Sequence, residues 1–287
     1  MKRTDYSPDE RAVIEEGPTP EGFRLLRKTV YRHYRDNGRN LPWRKTREPY
    51  QILLSEVMLQ QTQVDRVLRK YERFIEAFPD FPSLAGAPLR DILSLWQGLG
   101  YNRRAVALKT ISETVVSRHN GEIPPRLNDL VALPGIGHAT ACAVLAFAFN
   151  RPVVFIETNI RRVFIHFFFR GRERIRDAEI LPLVDETLDR NNPREWYYAL
   201  MDYGAMLKKQ VPNPNKKSAH YQRQPPFEGS RRQLRGRVLK VLLSRPNVTE
   251  EEMGSALKVE LRRIRECLDE LEKEGFAMKR GKKYSIP

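Results

Sequence analysis

The sequence predicts a mainly α protein: one large helical domain, a basic linker and a small winged-helix-like domain at the C-terminal end. Three features of the 287 residues lead there. First, apolar residues recur at helical spacing, broken by Pro and Gly, up to about residue 208, and strand signals there are weak. Second, residues 208–237 (KKQVPNPNKKSAHYQRQPPFEGSRRQLRGR) hold nine Lys/Arg against a single acid, with four prolines and two glycines. That composition reads as an irregular arm rather than a packed element. Third, Leu234, Val238, Val241, Leu242, Leu257, Leu261, Ile264, Leu268 and Leu271 return to helical spacing, and GFAMKRGKKYSIP adds two short β-like runs around Arg280-Gly281. Three helices before a basic hairpin is the pattern of a winged helix, a common DNA-binding module.

In order along the chain, helices are expected near 22–37, 49–62, 64–78, 88–97, 102–118, 126–132, 138–149, 159–169, 177–190 and 194–207. Pro49 and Pro88 sit where a first helical turn accepts proline. Residues 1–21 are then an N-terminal extension, 22–207 the helical domain, 208–230 the linker or arm, and 231–287 the winged-helix-like domain.

Charge narrows the function. Lys and Arg total 51 against 36 Asp and Glu, a net charge of +15 and a pI near 9.9. Such an excess attracts polyanions, and nucleic acid is the commonest in a cell. No apolar run approaches the roughly 18–20 residues that cross a bilayer, and the first residues lack the apolar segment of a secretory signal. A cytoplasmic, nucleoid-associated protein with no membrane partner is expected. Cys142 and Cys267 lie far apart, each in an expected helix. They read as core thiols and cannot assemble a cysteine-rich metal site.

The most specific motif is LPGIGHATACAVLAF, Leu133 to Phe147. Pro134-Gly135-Ile136-Gly137 makes a tight turn between two helices. Glycine permits positive φ and leaves no side chain between backbone and ligand. The N–H groups of Gly135, Gly137 and the following turn (His138, Ala139 and Thr140) then face outward at a helix N-terminus. There the dipole favours a phosphate, bound without reading base sequence. Ala139, Thr140, Ala143 and Ala146 are small enough for close packing of the second helix. LPGIGHATA resembles the helix-hairpin-helix of the base-excision DNA glycosylases that include endonuclease III and MutY. The resemblance spans about residues 22–207 and implies a two-lobed, all-helical helix-hairpin-helix glycosylase domain, with a possible monovalent cation on the hairpin's carbonyls.

PYQILLSEVMLQQTQV, Pro49 to Val64, sets Glu56 among Leu53, Leu54, Val57, Met58 and Leu59. By spacing alone Glu56 is either an exposed acid or a carboxyl among apolar neighbours, its pKa raised so that it delivers a proton near pH 7. Gln60, Gln61 and Thr62 follow with hydrogen-bonding groups suited to a disrupted base pair. The segment is similar to that of the MutY adenine glycosylases. The resemblance implies that Glu56 protonates the adenine leaving group while Gln60 and Gln61 wedge into the duplex beside a flipped base. LPWR (41–44) and LWQGLGYNRRA (95–105) also resemble MutY segments. In the second, Tyr101 is expected to touch the displaced stack and Arg103 and Arg104 to face phosphates; a solvated helix face is the alternative for the two arginines.

In VFIETNIRRV, Val154 to Val163, Asn159 or Thr158 can cap a helix beginning near Ile160. Glu157 precedes that helix, so the dipole is expected to stabilise its ionised form. One protonated and one ionised carboxyl is what glycosidic cleavage through an oxocarbenium-like sugar requires. The resemblance places Glu157 where these glycosylases carry the aspartate of Asp-x-Asn, with Asn159 orienting the carboxylate or the sugar. The extra methylene moves the carboxylate by about an ångström, enough to matter for positioning. Arg161, Lys216 and Lys217 complete the residues assigned to DNA.

Three further departures from the family shape the expectation. Bifunctional relatives carry a Schiff-base lysine two residues after the second hairpin glycine, where this chain has Ala139, so a monofunctional enzyme leaving an abasic site is implied. The four cysteines of the family's iron–sulfur cluster and a MutT-type C-terminal domain have no counterpart, so no cluster and no catalytic metal are expected. The expected function is a monomeric base-excision-repair glycosylase acting on double-stranded DNA with a mismatch or damaged base. It hydrolyses the N-glycosidic bond of a flipped base, adenine in a mismatch foremost. The alternatives are thymine or uracil opposite guanine, hypoxanthine, or a non-catalytic DNA-binding protein on the same scaffold.

Overall fold

The computed structural model describes residues 6–287, which fall into two compact units. Residues 1–5 of the expected N-terminal extension lie outside the described residues. The first unit comprises the described chain through Glu56 together with Ile123–Arg223; the second comprises Val57–Glu122 and Gln224–Pro287.

Helix α1 (Pro8–Glu16) is not among the expected helices, yet its start is written in SPDE: the Ser7 hydroxyl accepts the Glu10 N–H at 3.3 Å while the Glu10 carboxylate accepts the Ser7 N–H at 2.9 Å. This reciprocal cap satisfies two helix-end donors. Helix α2 (Pro20–Asn37) buries Phe23, Leu26 and Val30. Helix α3 (Pro49–Leu59) stops before Gln60, short of the expected end at 62, and Gln61 takes a left-handed φ of 53° that no α-helix continues.

In the second unit, α4 (Val64–Ala77), α5 (Phe81–Gly86), α6 (Leu89–Trp96) and α7 (Arg103–Arg118) pack on one another. Helix α5 is a single capped turn that the periodicity does not show; Asp80 accepts the Ser83 N–H at 2.8 Å. Val67, Tyr71 and Phe74 of α4 face inward, and Phe74 meets Trp96 edge-on at 5.9 Å.

The first unit resumes with α8 (Leu127–Val131), α9 (His138–Phe149), α10 (Thr158–Phe168), α11 (Asp177–Thr187) and α12 (Pro193–Gln210). Residues Ala141 to Phe147 of α9 are all buried, which explains why this helix has no polar face. Helices α10 and α12 approach closely at Gly204, where an added Cβ would lie 2.5 Å from the Asn159 carbonyl oxygen.

The arm expected to be irregular is packed over its first half. A short 3-10 turn, Pro214–Lys217, is capped by Asn213. Asn215 donates to the Thr158 carbonyl at 2.9 Å, and Ile175 exchanges backbone bonds with Lys217 and Ala219 at 2.9 and 2.8 Å. Asparagine side chains thus satisfy backbone groups in a stretch that proline and charge mark as loop. From Tyr221 to Gly229 every residue is exposed.

The second unit closes with α13 (Arg231–Ser244), β1 (Val248–Thr249), α14 (Glu250–Leu257), α15 (Leu261–Lys273), β2 (Met278–Arg280) and β3 (Lys283–Ser285). Strand β3 lies between the other two, antiparallel to both, with Tyr284 opposite Val248 on one side and Lys279 on the other. Three helices and a terminal hairpin match the winged-helix-like expectation; β1, two residues long, has no sequence signal of its own. Among the described residues no helix is long and apolar enough to cross a membrane.

Candidate active site

Helix α3 carries Glu56 amid buried Leu53, Leu54, Ser55, Val57 and Met58. As a residue Glu56 is half-buried, not on an exposed polar face. Its pKa is pushed up to about 8, first by burial and then by the negative charge of Glu157, with Arg44 pulling it back. Glu56 is therefore an acid that keeps its proton at neutral pH.

Glu157 is itself the N-cap of α10, a role the sequence suggests for Asn159 or Thr158. One carboxylate oxygen accepts the N–H groups of Asn159 and Ile160 at 2.7 and 2.8 Å, and the other accepts from the Asn159 side-chain amide at 3.2 Å. The expectation of a low pKa needs correction: burial raises it, and the two backbone bonds with Arg162 and Arg161 only offset part of that rise. Glu157 holds donors and cations around it, and its charge is one of the forces keeping Glu56 protonated.

A chain of bonds fixes this geometry. Buried Arg162 donates to the Asn159 side-chain carbonyl at 2.7 Å and to the Gly204 carbonyl at 2.6 Å. Asn159 in turn donates its side-chain amide to Glu157. Arg44, from LPWR, is held by Asp202 through bonds of 2.8 and 2.7 Å and stacks 4.5 Å from the Tyr198 ring centre. The Tyr198 hydroxyl is buried without a partner among the described residues. The sequence alone does not single out Arg44, Arg162, Tyr198 or Asp202 for this site; burial of arginine is the property that reveals them, and a sequence does not display it.

The residues assigned to DNA divide into two groups. Gln61 and Tyr101 both adopt left-handed backbone, φ 53° and 48°, and Tyr101 is 40% exposed. Bulky residues rarely hold such angles, and the cost concentrates at functional positions. Arg104, expected to face phosphates, is instead buried at 9% exposure. It donates to the carbonyls of Val57, Met58 and Gln60 at 2.8, 2.9 and 2.6 Å, to those of Leu99 and Gly100 at 3.3 and 2.9 Å, and to Thr62 Oγ1 at 2.9 Å. Its fork collects the carbonyls freed where α3 ends and so ties the Gln61 turn to the Tyr101 turn. Thr62 is correspondingly engaged with protein. Arg103 pairs with Glu274 at 2.7 Å while remaining exposed.

The sequence missed two neighbours of Tyr101. Gln224 donates to the Tyr101 hydroxyl at 3.0 Å and reaches Gln61 Oε1 at 3.5 Å; Arg232 reaches the same hydroxyl at 3.3 Å. Both come from the segment whose composition reads as a featureless basic arm.

At the hairpin, Pro134, Gly135, Gly137, His138 and Ala139 are exposed and Thr140 is half-buried. Only Gly135 uses positive φ, at 76°; Gly137 caps α9 at φ −84° with no side-chain bond to the helix. An added Cβ at Gly137 meets nothing within 4 Å, so the bare backbone serves no internal packing and leaves the helix end open to an outside anion. The His138 ring lies 3.8 Å from Cys142 Sγ. Arg161, assigned to DNA, makes a two-bond ion pair with Asp177 at 2.7 and 2.6 Å. Lys216 is exposed and Lys217 half-buried.

Residues 54–181 match the family model described as HhH-GPD superfamily base excision DNA repair protein. The chain is 36% identical over 185 residues to the adenine DNA glycosylase of Buchnera aphidicola subsp. Baizongia pistaciae (strain Bp), covering 63% of this chain and 52% of that protein. It is 27% identical to the thymine/uracil-DNA glycosylase of Methanothermobacter thermautotrophicus, covering 62% of this chain and 82% of that one. A non-covalent endonuclease III–DNA complex shares the fold with a TM-score of 0.58 at 20% identity, covering 68% of this chain and 90% of the other. The chain spans about half the length of the curated adenine glycosylases it matches first.

Proposed function

We propose, from the premise that residues 54–181 are a helix-hairpin-helix glycosylase domain of the HhH-GPD superfamily, that this protein is a monofunctional DNA glycosylase. It hydrolyses the N-glycosidic bond of a flipped base in double-stranded DNA, adenine in a mismatch being the foremost substrate. The observation that carries the reading is the unlike carboxyl pair. Glu56 holds a proton near pH 7, and Glu157 is bonded as an N-cap. Protonation of the leaving purine by Glu56 draws electrons out of the C1′–N bond. The Glu157 carboxylate then faces the sugar cation and directs water to it, with Asn159 and Arg162 holding it in register.

The hairpin end of α9 supplies a phosphate site, Gln61 and Tyr101 occupy the space of the extruded base, and the C-terminal winged-helix-like region adds duplex affinity. Ala139 offers no amine for a Schiff base, so the product is an abasic site without strand scission. The protein acts as a monomer in the cytoplasm, at the nucleoid. The reading includes no iron–sulfur cluster, because the chain's two cysteines sit in different units and a cluster takes four thiolates. A monovalent cation on the carbonyls of the exposed Pro134–Gly135 turn would serve binding and takes no part in bond cleavage.

The test is excision across a panel of duplexes carrying mispaired adenine, thymine or uracil opposite guanine, and hypoxanthine, with alkali revealing abasic sites. Wild type is expected to cut at least one, and Glu56→Gln to lower the single-turnover rate by about 100-fold or more. Absence of cleavage throughout, with duplex binding intact, assigns a DNA-clasping scaffold instead. Similarity to the thymine/uracil-DNA glycosylase over 82% of that protein's length favours the pyrimidine mismatches as second reading; the same panel decides between them.

A further inference from the structure

Helix α4 carries Arg66, Arg69, Lys70 and Arg73, spaced so that all four share one face. The adjoining face, Val67, Tyr71 and Phe74, is buried. With Gly98 the four cations line a groove of about 500 Å³. Among the described residues none of the four is paired with a carboxylate, whereas Arg103, Arg231 and Arg235 of the same unit each have one. Like charges at these spacings repel and cost stability, so a face left in this state favours an anion that arrives from outside. Lys70 is half-buried beside Arg73, and both burial and that charge lower its pKa.

The groove's rim points to the same partner. Gly98 has φ 90°, and an added Cβ there would meet nothing within 4 Å, so the approach to the cations is bare backbone. Three residues on, the same turn presents Tyr101. From Arg66 to Arg73 the helix rises about 10 Å, which matches the axial rise of about three phosphates on one strand.

We propose that this α4 groove binds the phosphodiester backbone of the duplex flanking the base pair that Tyr101 and Gln61 contact. The inference rests on the DNA-binding half of the proposed function and extends the interface beyond the hairpin and the turn residues. It requires no particular excised base.

Fluorescence anisotropy of a labelled undamaged duplex, titrated at salt concentrations from about 50 to about 200 mM, tests it. The variant R69Q/K70Q/R73Q is compared with K28Q/R35Q/R118Q, which removes three exposed cations elsewhere. Every phosphate that the protein no longer neutralises flattens the log–log salt slope by about 0.9, so the groove variant should flatten by about two to three and bind at least about tenfold more weakly at low salt. The control should keep the wild-type slope, and circular dichroism should show both folded. Equal slopes in the two variants overturn the proposal. So does competition by inorganic pyrophosphate at the groove with unchanged duplex affinity, which identifies a small-anion site. Lack of excision by wild type sinks the glycosylase reading but leaves these binding slopes interpretable.

Discussion

Replacing Glu56 by Gln tests the electrostatics of the acid pair through stability, without recourse to activity. In the unfolded chain Glu56 releases its proton near its ordinary 4.5; in the native protein it does so near 8. Between those values the native state binds more protons than the unfolded one, so stability falls as pH rises. Each pH unit across the interval costs about 1.4 kcal/mol. Wild type therefore carries a penalty of at most about 3 kcal/mol at pH 7, rising to about 5 kcal/mol above pH 8 and vanishing below 4.5. Partial exposure of the residue makes these ceilings. Glutamine keeps the shape and never ionises. Urea denaturation of both proteins from pH 4.5 to 8.5, followed by circular dichroism, should show the variant's advantage over wild type growing with pH and levelling near 8. Parallel stability curves would mean that the carboxyl titrates at an ordinary value, and the claim that it stores a proton for the leaving base would fail with them.

The same pKa sets the rate profile: excision is expected to fall about tenfold per pH unit above pH 8, as Glu56 loses its proton. Single-turnover rates from pH 6 to 10 check this. Arg104→Met strips donors from the carbonyls of Val57, Met58, Gln60, Leu99 and Gly100; a loss of about 3 kcal/mol or more is expected from buried acceptors left bare. Thermal unfolding reads the loss, and hydrogen exchange should quicken at residues 60–62 and 99–101. Gly204→Ala drives a Cβ to 2.5 Å from the Asn159 carbonyl oxygen and 2.7 Å from its Cβ. It should cost about 1–3 kcal/mol and slow excision by displacing Asn159, visible as a fall in kcat with little change in duplex affinity. Gln224→Ala combined with Arg232→Ala frees the Tyr101 hydroxyl; discrimination between matched and mismatched duplexes should drop several-fold in competition binding while the folded structure persists.

Much of this protein is legible along the chain. The hairpin LPGIGHATA announces its turn because glycine and small residues answer to local backbone geometry, which a sequence states directly. The long helices announce themselves by periodicity, since each has a face to bury. Helices α1 and α5 escape that reading although their capping residues, Ser7 with Glu10 and Asp80 with Ser83, are in plain sight; helices this short have too few apolar positions to show a period. Glu56 stands out by its apolar neighbours, but neighbours in sequence leave even odds between a buried and a solvated carboxyl.

What the amino-acid order determined by itself was local: where helices run, where the backbone turns at Gly135, and which carboxyls were candidates. Tertiary structure decided what each charge does. Arg104, read as a phosphate contact, is spent on carbonyls, and Arg161, assigned to DNA, is paired with Asp177. Glu157, read as a low-pKa anion, is raised by burial in the same unit that surrounds Glu56. Gln224 and Arg232 reach Tyr101 across more than a hundred residues of chain. The reason is common to all of them. Helix and turn preferences act within a few residues, whereas the free energy of a charge depends on which distant groups solvate it, and only the folded chain chooses those.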